Sequence, residues 1–243
     1  LRGWLRATLI HADETRIRLH AKSACVWVFV TFHEVVYFYS ETREGSLVQS
    51  ALGEFKGVLV SDFYAAYDSL PCPQQKCLLH LMRDLNDAVL DNPYDEDVKG
   101  IVTAFAELLH GIVKTIDRWG LKGGFLRKHL VDVARFYKQI SKTGFSSTAA
   151  SKWKDRLEKD RAKLFTFLSH DGVPWNNNNA EHAIKAFARL RRAIEGLSTP
   201  KGIEEYLILL SVCQTCKYSG LDFLDFLRSG ETDVGTFAAN QWN

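Results

Sequence analysis

No apolar run in the sequence reaches the roughly 18 to 20 residues that a membrane-spanning helix needs, and the opening LRGWLRATLIHADE lacks the basic, apolar, small-residue order of a secretory signal. Both absences lead to the expectation of a soluble, cytoplasmic protein with no membrane partner. Cysteine is scarce and odd in number, five in 243 residues, which argues against a disulfide framework and fits a reducing compartment. Charge of one sign is not in excess either. With 31 Lys and Arg against 29 Asp and Glu, the net charge is +2, so any affinity for nucleic acid must come from local clusters. Methionine occurs once, at Met82, and the chain begins at Leu1, so the sequence is read as a piece of a longer protein. No internal repeat is visible. What is present is an apolar fraction of 46%, enough for a sizeable core in one large domain or in one domain carrying an insertion.

The order of patterns along the chain fixes a fold expectation. ATLIHADETRIRLH and ACVWVFVTFHEVVYFY are β-type stretches that give three strands with a hairpin. REGSLVQSALGEF has helical spacing, GVLVSDF reads as a buried strand ending in a carboxylate, and residues 64–70 form a short helix. KCLL at 76–79 is expected as a fifth strand, followed by a helix from about His80 to Leu90. From Asp95 to His170 the texture changes to long amphipathic helical patterns broken at Gly120, at Gly123-Gly124 and around 143–147. Helices resume near Ala180 and Gly202. This order matches an α/β fold of the ribonuclease H-like kind: a mixed five-stranded sheet flanked by helices, with an all-helical insertion before the last catalytic helix. The expected domain division is 1–92 for the first part of the core, 93–172 for the insertion and 173–243 for the completion.

Three acids stand at element ends. Asp13 lies where an apolar strand turns polar, Asp62 directly follows Val58-Leu59-Val60-Ser61, and Glu181 sits in the first turn of a helix after four asparagines, PWNNNNAEHAIK. Carboxylates brought together raise each other's pKa unless a divalent cation resolves the conflict, and hard oxygen ligands favour Mg²⁺ or Mn²⁺. Each acid also has an ordinary role available. Asp62 can cap the following helix, Glu181 can offset a helix dipole, and Asp13 can be a turn residue with Glu14 or Asp68 as the actual ligand.

HADET around Asp13, GVLVSDFYAAYD around Asp62, CLLHLMRDL at 77–85, NNNNAEHAIK around Glu181 and SVCQTCKYSGLDFLDFL at 211–227 together resemble the transposases of insertion sequence family 66, in the DDE superfamily. The resemblance covers nearly the whole chain. It implies a ribonuclease H-like catalytic domain in which Asp13, Asp62 and Glu181 bind Mg²⁺, with Mn²⁺ as a substitute, and cut and join transposon DNA. The acids are 49 and 119 positions apart, the longer gap being filled by the helical insertion. It further implies DNA partners at transposon ends and target, a homodimer or larger synaptic assembly, accessory element-encoded proteins, and a bacterial, nucleoid-associated location when DNA-bound. The alternatives are another metal-dependent nuclease on the same core and a catalytically inactive DNA-binding relic.

Supporting residues carry two readings each. Lys185 and Arg189 follow Glu181 at four-residue steps, and Arg192 lies nearby, so this helix either tracks a DNA strand by its phosphates or presents a solvated face. Trp175 either stacks on an unpaired base or packs at the insertion boundary. Tyr64 and Tyr67 share a helix face and are expected to pack on the sheet. The pairs Cys77-x-x-His80 and Cys213-x-x-Cys216 have zinc-like spacing, yet both lie in apolar-periodic segments where buried free cysteine is common.

Overall fold

The first strand, β1 (Leu9–Arg18), is continued by β2 (Ser23–Val30) and β3 (Val35–Ser40). The computed structural model to which these belong describes residues 3–19, 22–194 and 198–241. After α1 (Ser46–Leu52) comes β4 (Val58–Ser61), then a 3₁₀ turn at Ala65–Ser69. β5 (Gln74–Lys76) and α2 (Leu78–Asp91) lead into the long helix α3 (Glu96–Trp119). The short α4 (Gly123–Leu126), then α5 (Leu130–Lys142) and α6 (Thr148–Leu164), precede α7 (Asn178–Ile194). α8 (Pro200–Tyr218), α9 (Phe223–Ser229) and α10 (Val234–Gln241) follow. Five strands occur among the described residues, as expected, although the fifth lies at 74–76 rather than 76–79 and α2 starts two residues early.

These elements form two compact bodies, Leu1–Cys72 with Asn177–Asn243, and Pro73–Asn176. The division does not follow the change of sequence texture. Within the second body β5 packs on α6 and α2 on α3.

In the first body the strands run in the order β3-β2-β1-β4. β1 pairs antiparallel with β2 and parallel with β4, and β2 pairs antiparallel with β3, which makes the sheet mixed. Two-residue alternation sends successive side chains to opposite faces. One face carries Ile17, Val26, Val28, Val30, Val35 and Tyr37 against Ala180, Ala183 and Phe187 of α7 and Ile203, Leu207 and Leu210 of α8. The other carries Ile10, Ala12, Cys25, Trp27 and Phe29 against Val48 and Leu52 of α1, with Tyr67. The edge strand β3 does not offer bare donors to another chain. The N–H of Val35 donates to Thr215 Oγ1 and that of Tyr37 to Ser211 Oγ, both at 3.0 Å, from α8.

The second body is built on α3. Asp95 caps it by accepting from the Val98 N–H at 3.0 Å, and Glu96 and Asp97 complement the dipole in the first turn. Its apolar stripe, Val98, Ile101, Phe105, Leu109 and Ile112, is buried at three- and four-residue intervals, and Phe105 meets Phe136 of α5 edge-on. Gln75 of β5, fully buried, donates to Leu164 O at 2.9 Å and accepts from the Phe167 N–H at 3.0 Å. Among the described residues no helix is long and apolar enough to cross a membrane.

Candidate active site

The parallel register of β1 with β4 sets Leu9 beside Val58, Ile10 beside Leu59 and His11 beside Val60, a constant offset of 49. Carried two positions further, that offset puts Asp13 opposite Asp62. β4 stops at Ser61, so Asp62 emerges at the strand end. Asp13, Glu14 and Asp62 each present a carboxylate oxygen, all within 4.8 Å of one another. Asp13 and Glu14 are consecutive on β1, paired with Val28 and Trp27 on opposite faces. Their carboxylates meet because strand pairing with β4 ends at His11, leaving an open edge around which both side chains reach.

Glu14 is tightly enclosed. Its side chain is 2% exposed, accepts from Tyr67 Oη at 2.7 Å, and pairs with the Arg43 guanidinium, whose Nε lies at 3.2 Å. Arg43 in turn lies 4.0 Å over the Tyr64 ring, and the Tyr64 hydroxyl donates to the Arg43 carbonyl. Burial pushes the Glu14 carboxyl up, and the neighbouring Asp62 pushes it the same way, against the pull of Arg43 and Tyr67. Burial beside Glu14 likewise holds Tyr67 protonated, as a donor. Asp62 Oδ1 accepts from the Tyr64 N–H at 2.9 Å and Asp13 Oδ1 from the Glu14 N–H at 2.8 Å. Hard oxygen donors at this spacing are the set that Mg²⁺ or Mn²⁺ takes, and the smaller part of the upward push on Glu14, the repulsion from Asp62, is what a bound cation relieves. The donor set therefore fits a divalent metal.

α7 is laid along β1 on the Asp13 face. Asn177, fully buried, donates through Nδ2 to Ala12 O at 2.8 Å, and its Oδ1 lies 3.1 Å from His11 Nδ1. At the far end Arg191 Nη1 donates to Thr15 Oγ1 at 2.6 Å and to Arg16 O at 3.0 Å. Burial lowers the His11 pKa to about 4, so near neutral pH it is an uncharged imidazole. Within the asparagine run Asn178 and Asn179 are already helical and Asn177 pins the helix start to β1. Glu181 follows one turn later, half-buried, its N–H donating to Asn177 O at 3.1 Å. It is not a member of the 4.8 Å group formed by Asp13, Glu14 and Asp62.

Lys185, Arg189 and Arg192 are exposed on α7, spaced to share one face away from the buried Ala183 and Phe187. Trp175 belongs to the second body, where it is half-buried and its carbonyl accepts from the Leu78 N–H at 2.9 Å. Tyr64 and Tyr67 do pack on the sheet, against Trp27, with ring centroids at 6.0 and 5.9 Å. Cys216 is buried in a small apolar cluster with Phe226 and Phe237. Sequence reasoning missed Arg43 and the anchoring amide of Asn177. A lone arginine before a helix carries no signal, and an asparagine run reads as loop.

The first body is thus an α/β fold with an oxygen-donor cluster at the end of a parallel strand pair. Residues 2–205 match the family described as Transposase IS66 family, and the chain belongs to that family. It is also 22% identical over 227 residues to an uncharacterized protein, y4qI, of Sinorhizobium fredii, a match covering 82% of this chain. The chain spans about 40% of the length of that curated relative.

Proposed function

We propose that the chain is the catalytic part of a DDE-type transposase, its first body a ribonuclease H-like core that cleaves DNA at transposon ends and transfers the freed strand to target DNA. One observation carries the reading. Two aspartates 49 positions apart are brought within ligating reach of one another by a parallel strand pair, in a chain of this family. When bound, Mg²⁺ or Mn²⁺ supplies activation of the attacking oxygen and stabilisation of the leaving one. Asp13 and Asp62 hold it. Glu181, one turn into α7, would complete the ligand set from that helix. Asn177 positions that glutamate by fixing the helix start. Glu14, held by Arg43 and Tyr67, is not free to swing.

In the first step water attacks the phosphodiester and a 3′-hydroxyl leaves. In the second, that hydroxyl attacks a target phosphodiester, displaces a new 3′-oxygen, and no bond to protein forms. Lys185, Arg189 and Arg192 suit phosphate contacts along one strand. Joining two ends calls for a homodimer or larger synaptic assembly, with accessory proteins of the element where end recognition needs them.

Asp62→Asn tests the reading. It is expected to leave folding and DNA binding near wild type while abolishing Mg²⁺-dependent cleavage; an unchanged product yield refutes it. A pre-cut end separates transposase from plain nuclease, since only the former gives joined product.

A further inference from the structure

The ion pairs of the second body are regular. Lys99 pairs with Glu96, Arg135 with Asp132, Arg156 with Asp84 and Arg161 with Glu158. One stretch departs from this. Between residues 114 and 128 stand Lys114, Arg118, Lys122, Arg127 and Lys128 against the single acid Asp117. All five cations are exposed, and among the described residues none forms an ion pair. Lys114 and Arg118 lie one turn apart at the end of α3.

Between the cations sits an exposed aromatic pair. Trp119 and Phe125 are each 42% exposed and stack face to face, with centroids 4.7 Å apart and planes 10° from parallel, and the Arg118 guanidinium lies 4.9 Å from the Trp119 ring. Together the two rings make a small exposed apolar patch inside the ring of cations. The loop that carries them is fixed in shape. Gly120 holds φ at +71°, which a side chain disfavours. The Gly123 N–H donates to Asp171 Oδ1 at 2.6 Å, and a Cβ on Gly123 would lie 3.0 Å from that oxygen. The Gly172 N–H donates to Leu121 O at 2.8 Å, and Leu126 is fully buried beneath. The surface is therefore built before any partner arrives.

We infer that the α3–α4 turn of the helical body, with Lys114, Arg118, Lys122, Arg127 and Lys128 around the Trp119–Phe125 pair, is a docking surface for the phosphate backbone of duplex DNA. The inference rests on the reading that this protein handles DNA, and it assigns to the insertion a grip of its own, separate from the cations of α7. Unpaired cations at a rigid ledge match a polyanion with regularly spaced charges, and the rings offer apolar area to the sugar edges between phosphates.

The test is a fluorescence-anisotropy titration of the whole chain with a labelled 30-base-pair duplex in metal-free buffer at several salt concentrations. Lys122→Gln/Arg127→Gln/Lys128→Gln is compared with Lys138→Gln/Lys142→Gln/Lys152→Gln, which removes the same charge from elsewhere on the body. Loss of three phosphate contacts makes the slope of log K against log salt shallower by about 2.7 and lowers affinity at 0.1 M salt about 500-fold, whereas the control stays near wild type. Trp119→Ala lowers affinity with the slope kept, because an apolar contact releases no counterions. A wild-type chain that does not bind the duplex, or a triple variant no weaker than the control at equal melting temperature, overturns the inference. An unchanged affinity in Trp119→Ala removes the rings from the surface. The catalytic reading fails on a different result, absence of Mg²⁺-dependent cleavage by the wild type, which this metal-free measurement does not touch.

Discussion

Replacing Asn177 by alanine tests the link between the anchored helix and the acidic edge. The side chain is fully buried, and its amide serves Ala12 O at 2.8 Å and His11 Nδ1 at 3.1 Å. Alanine removes both partners at once and no water route is open to a site with no exposed surface. Each buried polar group left short of a partner costs about 1 to 3 kcal/mol, so the loss for the two is about 2 to 6 kcal/mol. For a chain of this size about 1 kcal/mol moves the melting temperature by about 2 to 4 °C, which predicts a fall of about 4 to 24 °C by circular dichroism or dye-monitored melting. A second readout separates anchoring from mere stability. Well below the melting temperature, DNA affinity is expected to stay within about twofold, while the single-turnover cleavage rate falls about tenfold or more, about 1.4 kcal/mol of barrier, because the Glu181 carboxyl loses its fixed start point. A melting temperature within 2 °C of wild type, or cleavage and binding reduced in equal proportion, refutes the reasoning.

Tyr67→Phe deletes the donor to the buried Glu14 carboxylate and is expected to cost about 1 to 3 kcal/mol, read by urea titration; a neutral result dissociates Tyr67 from the acidic edge. Added Mn²⁺ at a hundred times its dissociation constant should stabilise the fold by about 2.7 kcal/mol, and Asp62→Asn should abolish the gain; an equal gain in the variant places the ion elsewhere. In the helical body, hydrogen bonds from Ser146 hold the Asp97 carboxyl below its usual 3.8. A carboxyl whose folded pKa is depressed contributes above 3.8 and loses that contribution as pH falls through the folded value. The melting-temperature gap between wild type and Asp97→Asn should therefore be present at pH 6 and narrow as pH falls below 3.8; a gap constant over that range excludes the linkage.

Much of this architecture was readable from pattern because its causes are local. Alternation and β-branching marked β1 to β4, and the point at which each apolar strand turned polar marked Asp13 and Asp62. The apolar period of α7 was equally plain, since Ala180, Ala183 and Phe187 recur at three and four. What was lost depends on distant partners. β5 is three polar residues buried by tertiary hydrogen bonds, so Gln74-Gln75-Lys76 gave no apolar signal. The body boundary at Pro73 follows packing rather than composition. Glu14 was weighed in place of Asp13 as a ligand, not beside it. The early end of β4 is what admits both, and a strand's stopping point is the least legible part of a sequence.

The chain leaves the sheet-bearing body at Cys72 and returns to it only at Asn177. During synthesis the valines of β2 and β3 that α7 and α8 will cover must therefore wait while the intervening helices are translated, about 5 to 20 s at ribosomal speed. Over that interval the helical body can mature alone while a half-dressed apolar sheet stands open, and the moment of greatest aggregation risk for this protein falls on the nascent chain rather than on the finished one.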